Sequence, residues 1–433
     1  MYSYLKRKID SAYIFIYGHT PGNRFTSFIN NITWSFIGIG ISSILLFISY
    51  ILLGRQLGPE QFGKYSLFIS ISGILSMVLL LSRDSVVIKY VPGNHDKNFR
   101  KAEISNSVYL ITGFTLLVWV IFLSISGYIK SHFGNIFQII FYSLVYSSVL
   151  AFKYLFESVI KAFGNFKVQS LSKLIEGVGI FILVAGIVFC SLHQYQYYIY
   201  GSIIIYFSMS IIFLKFIYPY LGRWNMPLFK KSLRYSINCY LAIIIGVLIS
   251  NMDRIFMAKY LGFRLLGIYS VYLIASTTVI SQVLVAVNNV LLPNLTEYRD
   301  YISTKKKIDK IILLSLSPLF IGVFLITFFI MFLVGKSYAI NYWYIFLVSI
   351  ISCIQLVASL YGQIALSSAR IYQKVVKMYL YKPLLTLVLY INYMVFFRNT
   401  GLYYFFMMVF ISNLFDYLIQ YFVIKKYELV NNT

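Results

Sequence analysis

Twelve apolar runs, each about as long as a helix needs to cross hydrocarbon, constrain this chain more than any other feature. A transmembrane helix takes about 20 residues. Runs of that order occur at 33–53, 65–82, 104–126, 136–156, 171–190, 197–218, 235–252, 267–290, 311–334, 342–366, 383–397 and 401–424. Lipid admits only helices or closed barrels, and these runs lack the two-residue alternation of barrel strands. Composition agrees: 60% of the 433 residues are apolar and 12% are charged, against about 45–50% and about 25% in soluble domains. The connections left between spans are too short to hold a folded soluble domain. Span 11 is the shortest run, and FMAKYLGF blurs the boundary between spans 7 and 8.

A net charge of +24 raises the question of nucleic acid, which requires the basic residues to gather on one polar face. They do not. With both termini placed in the cytoplasm, 29 of the 37 Lys and Arg residues fall in cytoplasmic segments and 8 in outer ones. That is the positive-inside pattern, and an odd number of spans would destroy it. The basic start MYSYLKRKID precedes a first run that opens near Thr33 with no small-residue cleavage site, so that run reads as a retained span and not a signal peptide. Cys190, Cys239 and Cys353 are far apart, and the four histidines show no ligand spacing. No disulfide framework, metal site or cofactor is expected.

The two halves repeat. Residues 57–66 read LGPEQFGKYS and residues 261–270 read LGFRLLGIYS, both L-G-x4-G-x-Y-S at an offset of 204. Both tracts follow a span running in the same direction, so the plan is a parallel repeat of six plus six helices. The expected domains are a six-helix bundle at 1–218, a basic cytoplasmic linker at 219–234 and a second six-helix bundle at 235–433. Ser35, Gly38, Ser42 and Ser49 share a face of span 1, and Cys239, Ala242, Gly246 and Asp253 hold the matching places in span 7. Such small stripes serve close helix packing or leave room for a lumen.

The tract N-M-D-R-I-F-M-A-K-Y-L-G-F-R-L-L-G-I-Y-S (251–270) resembles the junction of helices 7 and 8 in bacterial polysaccharide flippases. These form the Wzx-like branch of the multidrug/oligosaccharidyl-lipid/polysaccharide (MOP) exporter superfamily. L-L-G-R-Q-L-G-P-E-Q-F-G-K-Y-S (52–66) resembles their helix 1/2 junction. The resemblance covers these tracts and the twelve-helix plan. It implies an all-α, MATE-like transporter fold with a central cavity between two bundles, in a bacterial inner membrane. It also implies a non-enzymatic cargo, undecaprenyl-pyrophosphate-linked oligosaccharide, moved to the outer leaflet by alternating access for O-antigen, capsule or exopolysaccharide synthesis. A polysaccharide polymerase and chain-length machinery are the implied partners.

Ionisable groups within spans are costly unless they face a cavity or a partner. Arg83 and Asp84 end span 2, with Lys89 after them. Lys153, Glu157 and Lys161 share a face near the inner end of span 4, and Glu176 opens span 5. Asp253 and Arg254 end span 7, and Asp416 lies within span 12. Each has a plainer alternative: a solvated ladder for Lys153–Glu157–Lys161, an interfacial Glu176, an anchor for Arg83–Asp84, a contact between the halves for Asp253–Arg254, a helix 11 or 12 partner for Asp416. In the functional reading, cations hold the pyrophosphate or acidic sugars, Arg through a fork and Lys as a point charge. Acids balance them or carry a coupling proton, so a proton or sodium gradient is the energy source left open. Arg83, Lys153, Asp253 and Arg254 are the leading candidates. Uncharged stripes add Ser352, Gln355, Ser359, Gln363 and Ser367 on span 10, and Ser270, Thr277, Ser281 and Asn288 on span 8.

Two rivals stand beside this reading. A multidrug extruder of the same fold would prefer acids in its cavity. A membrane polysaccharide polymerase would need a large outer loop or an acidic metal motif, and the sequence offers neither.

Overall fold

The computed structural model describes residues 23–431 except 93–95, 278–279, 281–283, 285–300, 336, 367–380, 394–395 and 397–400. Every regular element among the described residues is helical. Spans 1 and 2 form one rod, α1 (Asn23–Leu80), broken at Gly58. The local sequence explains the break. Gly58 sits at φ 69° and ψ 172°, a region that residues with a Cβ avoid. Pro59 lacks an N–H and keeps its predecessor out of the helical region, yet suits the first position of a new helix.

The chain continues through α2 (Arg83–Tyr90), α3 (Lys97–Phe133), α4 (Phe137–Ala162), α5 (Phe166–Phe189), α6 (Tyr195–Ile217) and α7 (Met226–Tyr260). Then follow α8 (Phe263–Thr277), α9 (Tyr301–Val334), α10 (Tyr342–Leu366), α11 (Lys382–Asn392) and α12 (Leu402–Asn431). Short polar side chains cap several starts: Asp96, Asn165, Asn225 and Asn341 each accept an N–H from the first turn of the helix they precede, satisfying donors that no intrahelical partner reaches. The blurred boundary between spans 7 and 8 resolves at Gly262. Its φ is 83°, and its N–H joins that of Leu261 on the carbonyl of Met257, a left-handed helix end that suits glycine.

Among the described residues, nine helices are long and apolar enough to cross a membrane, and one of them, Gly38–Leu80, runs 43 residues. At about 1.5 Å per residue that length supplies two crossings. The shorter α8 and α11 bring the plan to twelve, with most of span 8 beyond Thr277 outside the described residues. Large apolar side chains on these helices point outward, and Leu116, Val120, Ile182, Ile204 and Phe422 are each more than half exposed. Only lipid makes such a surface tolerable. The chain is a multi-pass membrane protein.

Within the N-terminal half, α1 packs chiefly on α5 and α4, and α4 on α6; in the C-terminal half α10 packs on α12 and α9. The small stripe of span 1 serves close approach. A Cβ at Gly38 would strike Ser170 of α5, and one at Gly177 of α5 would strike Ser42. The matching Gly246 in α7 faces open space, and Ser35 and Ala242 have side chains outside the described set.

The halves meet through their repeated motif. Ser66 and Ser270, the same motif position in each copy, are buried with hydroxyls 2.6 Å apart. Tyr338 donates to the Gly54 carbonyl across the same seam at 3.0 Å. A second set of contacts ties the α2–α3 region to the linker and α7. Ser236 donates to the Leu81 carbonyl at 2.6 Å, Gly222 N–H donates to Ser105 at 2.6 Å, and Asn106 and Asn225 exchange two bonds of 3.0 Å. The linker is therefore strapped to α3, and α7 begins at Met226, ahead of the apolar run that marks span 7.

Candidate functional site

A cavity of about 270 Å³ with mixed apolar and polar walls lies within the C-terminal half, between α7, α8, α10, α11 and α12. Its charged lining is Asp253, Arg254 and Lys382, joined by Ser250, Thr277, Gln355, Thr386, Ser412 and Asn413. Asp253 and Arg254 are consecutive on α7, which aims adjacent side chains about 100° apart; the structure uses that divergence. Asp253 Oδ2 accepts the Tyr269 hydroxyl at 2.5 Å, while its Oδ1 has no hydrogen-bond partner among the described residues. Arg254 Nη1 donates to Ser70 Oγ of α1 at 3.1 Å, and its buried Nε has no partner there. A guanidinium carries five N–H donors, so most of the donor capacity of Arg254 is without a partner among the described residues. Gln355 lies on the opposite wall, on α10. Gln363 also lies on α10, but its side chain falls outside the described set.

Two lining groups carry signals that are weak in sequence. Lys382 precedes Pro383 at the start of α11 and reads as an ordinary loop cation. The fold turns it inward, where Nζ meets Asp416 Oδ2 at 2.6 Å. Asp416 therefore has a partner on the neighbouring span 11, and the pair brings one charge of each sign beside the cavity. Asn413 stands three residues before Asp416 on α12, one helical turn away.

The other sequence candidates lie elsewhere. Arg83 is fully buried and saturated. It meets Glu103 at 2.5 Å, Ser107 through Nε at 3.1 Å and Nη2 at 2.9 Å, and Ser232 of α7 at 3.2 Å. Burial lowers its pKa and the Glu103 carboxylate works against that. Glu103 carried no signal of its own, because it sits twenty residues from its partner at the margin of span 3. Arg83 is thus a clasp between α2, α3 and α7. Lys89 lies 3.6 Å over the Tyr235 ring of α7. Asp84 is half-buried with one carboxylate oxygen unpartnered among the described residues; burial pushes its pKa up, against backbone bonds and the charge of Lys161.

The solvated ladder expected on span 4 is solvated only at Lys161, which is half-buried. Lys153 and Glu157 are buried, and with α5 they form a closed cluster of two Lys and two Glu. Lys153 reaches Glu176 at 2.7 Å and Glu157 at 3.3 Å. Lys173 reaches the same two acids at 3.0 and 3.3 Å, and Tyr206 donates to Glu176 at 3.0 Å. The charges cancel inside the N-terminal half. Glu176 is correspondingly buried.

A second cavity, about 580 Å³, is lined by Glu60, Gln61, Lys64, Lys130, Gln138 and Gln196 among others, with Phe263 reaching over from the opposite half. Lys64 is engaged by Glu60 at 3.0 Å. No group of three or more His, Cys, Asp or Glu suited to a metal occurs among the described residues.

The sequence model of polysaccharide biosynthesis proteins matches residues 28–299, more than half of the chain. The chain belongs to that family. Solved transporter structures share its fold. A MATE transporter in complex with MaD3S superposes with a TM-score of 0.59 at 12% identity, covering 94% of this chain and 97% of the other. An outward-facing multidrug resistance MATE transporter of the MOP superfamily gives 0.58 at 12% identity, over 93% and 96%. A MOP superfamily transporter from Pyrococcus furiosus, described as having a binding pocket of reverse polarity, gives 0.54 at 12% identity over 93% and 96%. At such identities the likeness concerns the fold. No curated protein matches at a significant level.

Proposed function

We propose that this polysaccharide biosynthesis family transporter is a flippase for undecaprenyl-pyrophosphate-linked oligosaccharide repeat units. One observation carries the reading. Arg254 lines a cavity whose wall mixes apolar side chains with amides and hydroxyls, and most of its donors have no partner among the described residues; a forked cation beside such groups suits a diphosphate joined to sugar. The volume of about 270 Å³ lies below the ~300–1,000 Å³ of a typical small-molecule site, which fits a headgroup and leaves the glycan to extend beyond it. The multidrug alternative would rest on Asp253, since Asp416 is neutralised by Lys382; Asp253 accepts from Tyr269 and keeps Oδ1 without a partner among the described residues, but the Arg254 cation stands next to it in the same lining. The charge distribution supports a bacterial inner-membrane protein with both termini in the cytoplasm. A proton or sodium gradient would drive the cycle, with no cofactor.

The test is a deletion strain. Lipid-linked repeat units should accumulate on the cytoplasmic leaflet, and the wild-type chain should clear them where Arg254→Ala does not. Normal translocation with failed chain elongation would overturn the reading in favour of a polymerase.

A further inference from the structure

Four bonds join the cavity to the seam between the halves. Arg254 Nη1 donates to Ser70 Oγ at 3.1 Å. Ser70 Oγ in turn donates to the Ser66 carbonyl at 3.0 Å. Ser66 Oγ meets Ser270 Oγ at 2.6 Å. Tyr269, next to Ser270, donates to Asp253 Oδ2 at 2.5 Å. The path starts at one member of the charged pair, crosses into the opposite half, passes through the seam and returns to the other member. Ser66, Ser70, Tyr269 and Ser270 are all buried, so water does not substitute for these partners. The internal repeat shows that the arrangement is particular to one half. The offset of 204 sets Ser49 and Tyr50 where Asp253 and Arg254 stand, and Ser49 merely donates back to Leu45 of its own helix.

We infer that Arg254 is shared between cavity and seam: an anion entering the cavity and the Ser70 hydroxyl of the opposite half compete for the orientation of one planar guanidinium, so that loading the cavity loosens the seam. Ser70 and Tyr269 are positioning residues, acting through Arg254 and Asp253. The anion is a diphosphate, and this part of the inference rests on the function proposed above. The physical requirement is met because a ligand shifts a conformational equilibrium only through contacts that differ between the two states. Here the guanidinium is a rigid plane, so turning its uncommitted donors onto the ligand draws Nη1 away from Ser70. An empty carrier keeps its seam closed, and a loaded one releases it.

The experiment uses the full chain with Cys190, Cys239 and Cys353 replaced by Ser and with Ser66→Cys and Ser270→Cys introduced, in lipid nanodiscs. Copper phenanthroline oxidises the thiol pair, and the rate of disulfide formation reports seam closure, since the sulfurs must come within about 2.05 Å. Ser70→Ala should slow the reaction about tenfold, the scale of one charge-assisted hydrogen bond. Arg254→Gln should slow it equally, and the double variant no further, because both remove the same bond. An unchanged rate in Ser70→Ala, or additive effects, would overturn the inference whatever binds in the cavity. Inorganic pyrophosphate and undecaprenyl pyrophosphate are then added separately to the Ser70-intact protein. Slowing by both shows that the diphosphate suffices, and slowing by the lipid alone places its source in the membrane; each supports the competition. If direct binding of the lipid is measured but the rate stays constant, the competition is wrong and the flippase reading stands. If neither probe binds, the flippase reading and the competition fall together, and only the Ser70–Arg254 tie remains.

Discussion

Gly63 and Gly267, equivalent positions in the two copies of the repeat, press backbone to backbone across the seam. A Cβ on Gly63 would lie 1.8 Å from the Phe263 carbonyl oxygen, and one on Gly267 would lie 1.8 Å from the Pro59 carbonyl oxygen. Neither oxygen belongs to a side chain that could turn away. The motif's second glycine is therefore there to let two helices touch, which is the usual role of small residues in lipid. Gly63→Ala and Gly267→Ala should each lower the melting temperature of the purified protein, by an amount equivalent to about 1–3 kcal/mol of overpacking. Alanine's helix preference of about 1 kcal/mol acts the other way. Gly73→Ala, with nothing within 4 Å of its added Cβ, should match or exceed the parent. Equal melting for all three variants would mean that the crossing is looser than described.

Arg83 should behave as a structural residue. Removing one member of a buried ion pair costs about 3–5 kcal/mol, whereas replacing both by apolar groups is often close to neutral. Arg83→Ala should thus reduce folded protein recovered from membranes, and Arg83→Met with Glu103→Leu should recover much of it. Size-exclusion chromatography in detergent distinguishes the cases. Parental folding combined with lost export in Arg83→Ala would return this residue to the transport site.

Arg254 should show the opposite pattern. Arg254→Ala is expected to insert and stay folded while losing at least tenfold in translocation of labelled lipid-linked saccharide in vesicles, as the loss of one charge-assisted contact would give. Arg254→Lys should recover only part, since an ammonium cannot make the fork. Parental transport by Arg254→Ala would end its assignment as a substrate contact.

Lys382 and Asp416 should be coupled. Lys382→Ala leaves a partly buried carboxylate without its cation, so it should destabilise more than Asp416→Asn together with Lys382→Ala. A double-mutant cycle on melting temperature measures the term. Strict additivity would show that the 2.6 Å contact contributes nothing.

Asp84 gives a pH dependence. Its native pKa is raised, burial being the largest cause. Above that value the ionised carboxylate destabilises the fold. As pH falls through it, proton uptake removes the cost, and below the ordinary carboxylate pKa of about 3.9 both states are protonated and nothing further changes. Asp84→Asn should therefore raise stability at pH 7, with the gain shrinking toward pH 4. A gain independent of pH would point to a cause other than ionisation.

The helical plan was legible because lipid leaves a chain few options. Twelve runs of apolar residues and a one-sided charge distribution are local properties, readable without knowing which side chains meet. The repeated L-G-x4-G-x-Y-S tract was legible as well, whereas the break at Gly58–Pro59 emerged from the structure. The candidate site was legible only in part. Asp253, Arg254, Gln355 and Thr277 were visible as polar groups in apolar spans, and the fold gathers all four around one cavity. Lys382 was obscured because a lysine before a proline looks like any loop cation. Arg83 and Lys153 misled for the converse reason: their neutralising partners, Glu103 and Glu176, are 20 and 23 residues away in sequence.

The sequence by itself determined the solvent, the number of crossings and the internal repeat, because each follows from hydrophobicity and charge counted along the chain. Tertiary structure decided which polar residues are spent and which are free. That depends on distances between helices far apart in sequence: Lys153 is buried with its charge cancelled by Glu176 and Glu157, whereas Arg254 keeps donors without a partner among the described residues. It also decided that the two copies of the repeat touch each other, Ser66 against Ser270. A repeat implies similar halves, but only the packing of one half on the other places equivalent residues in contact.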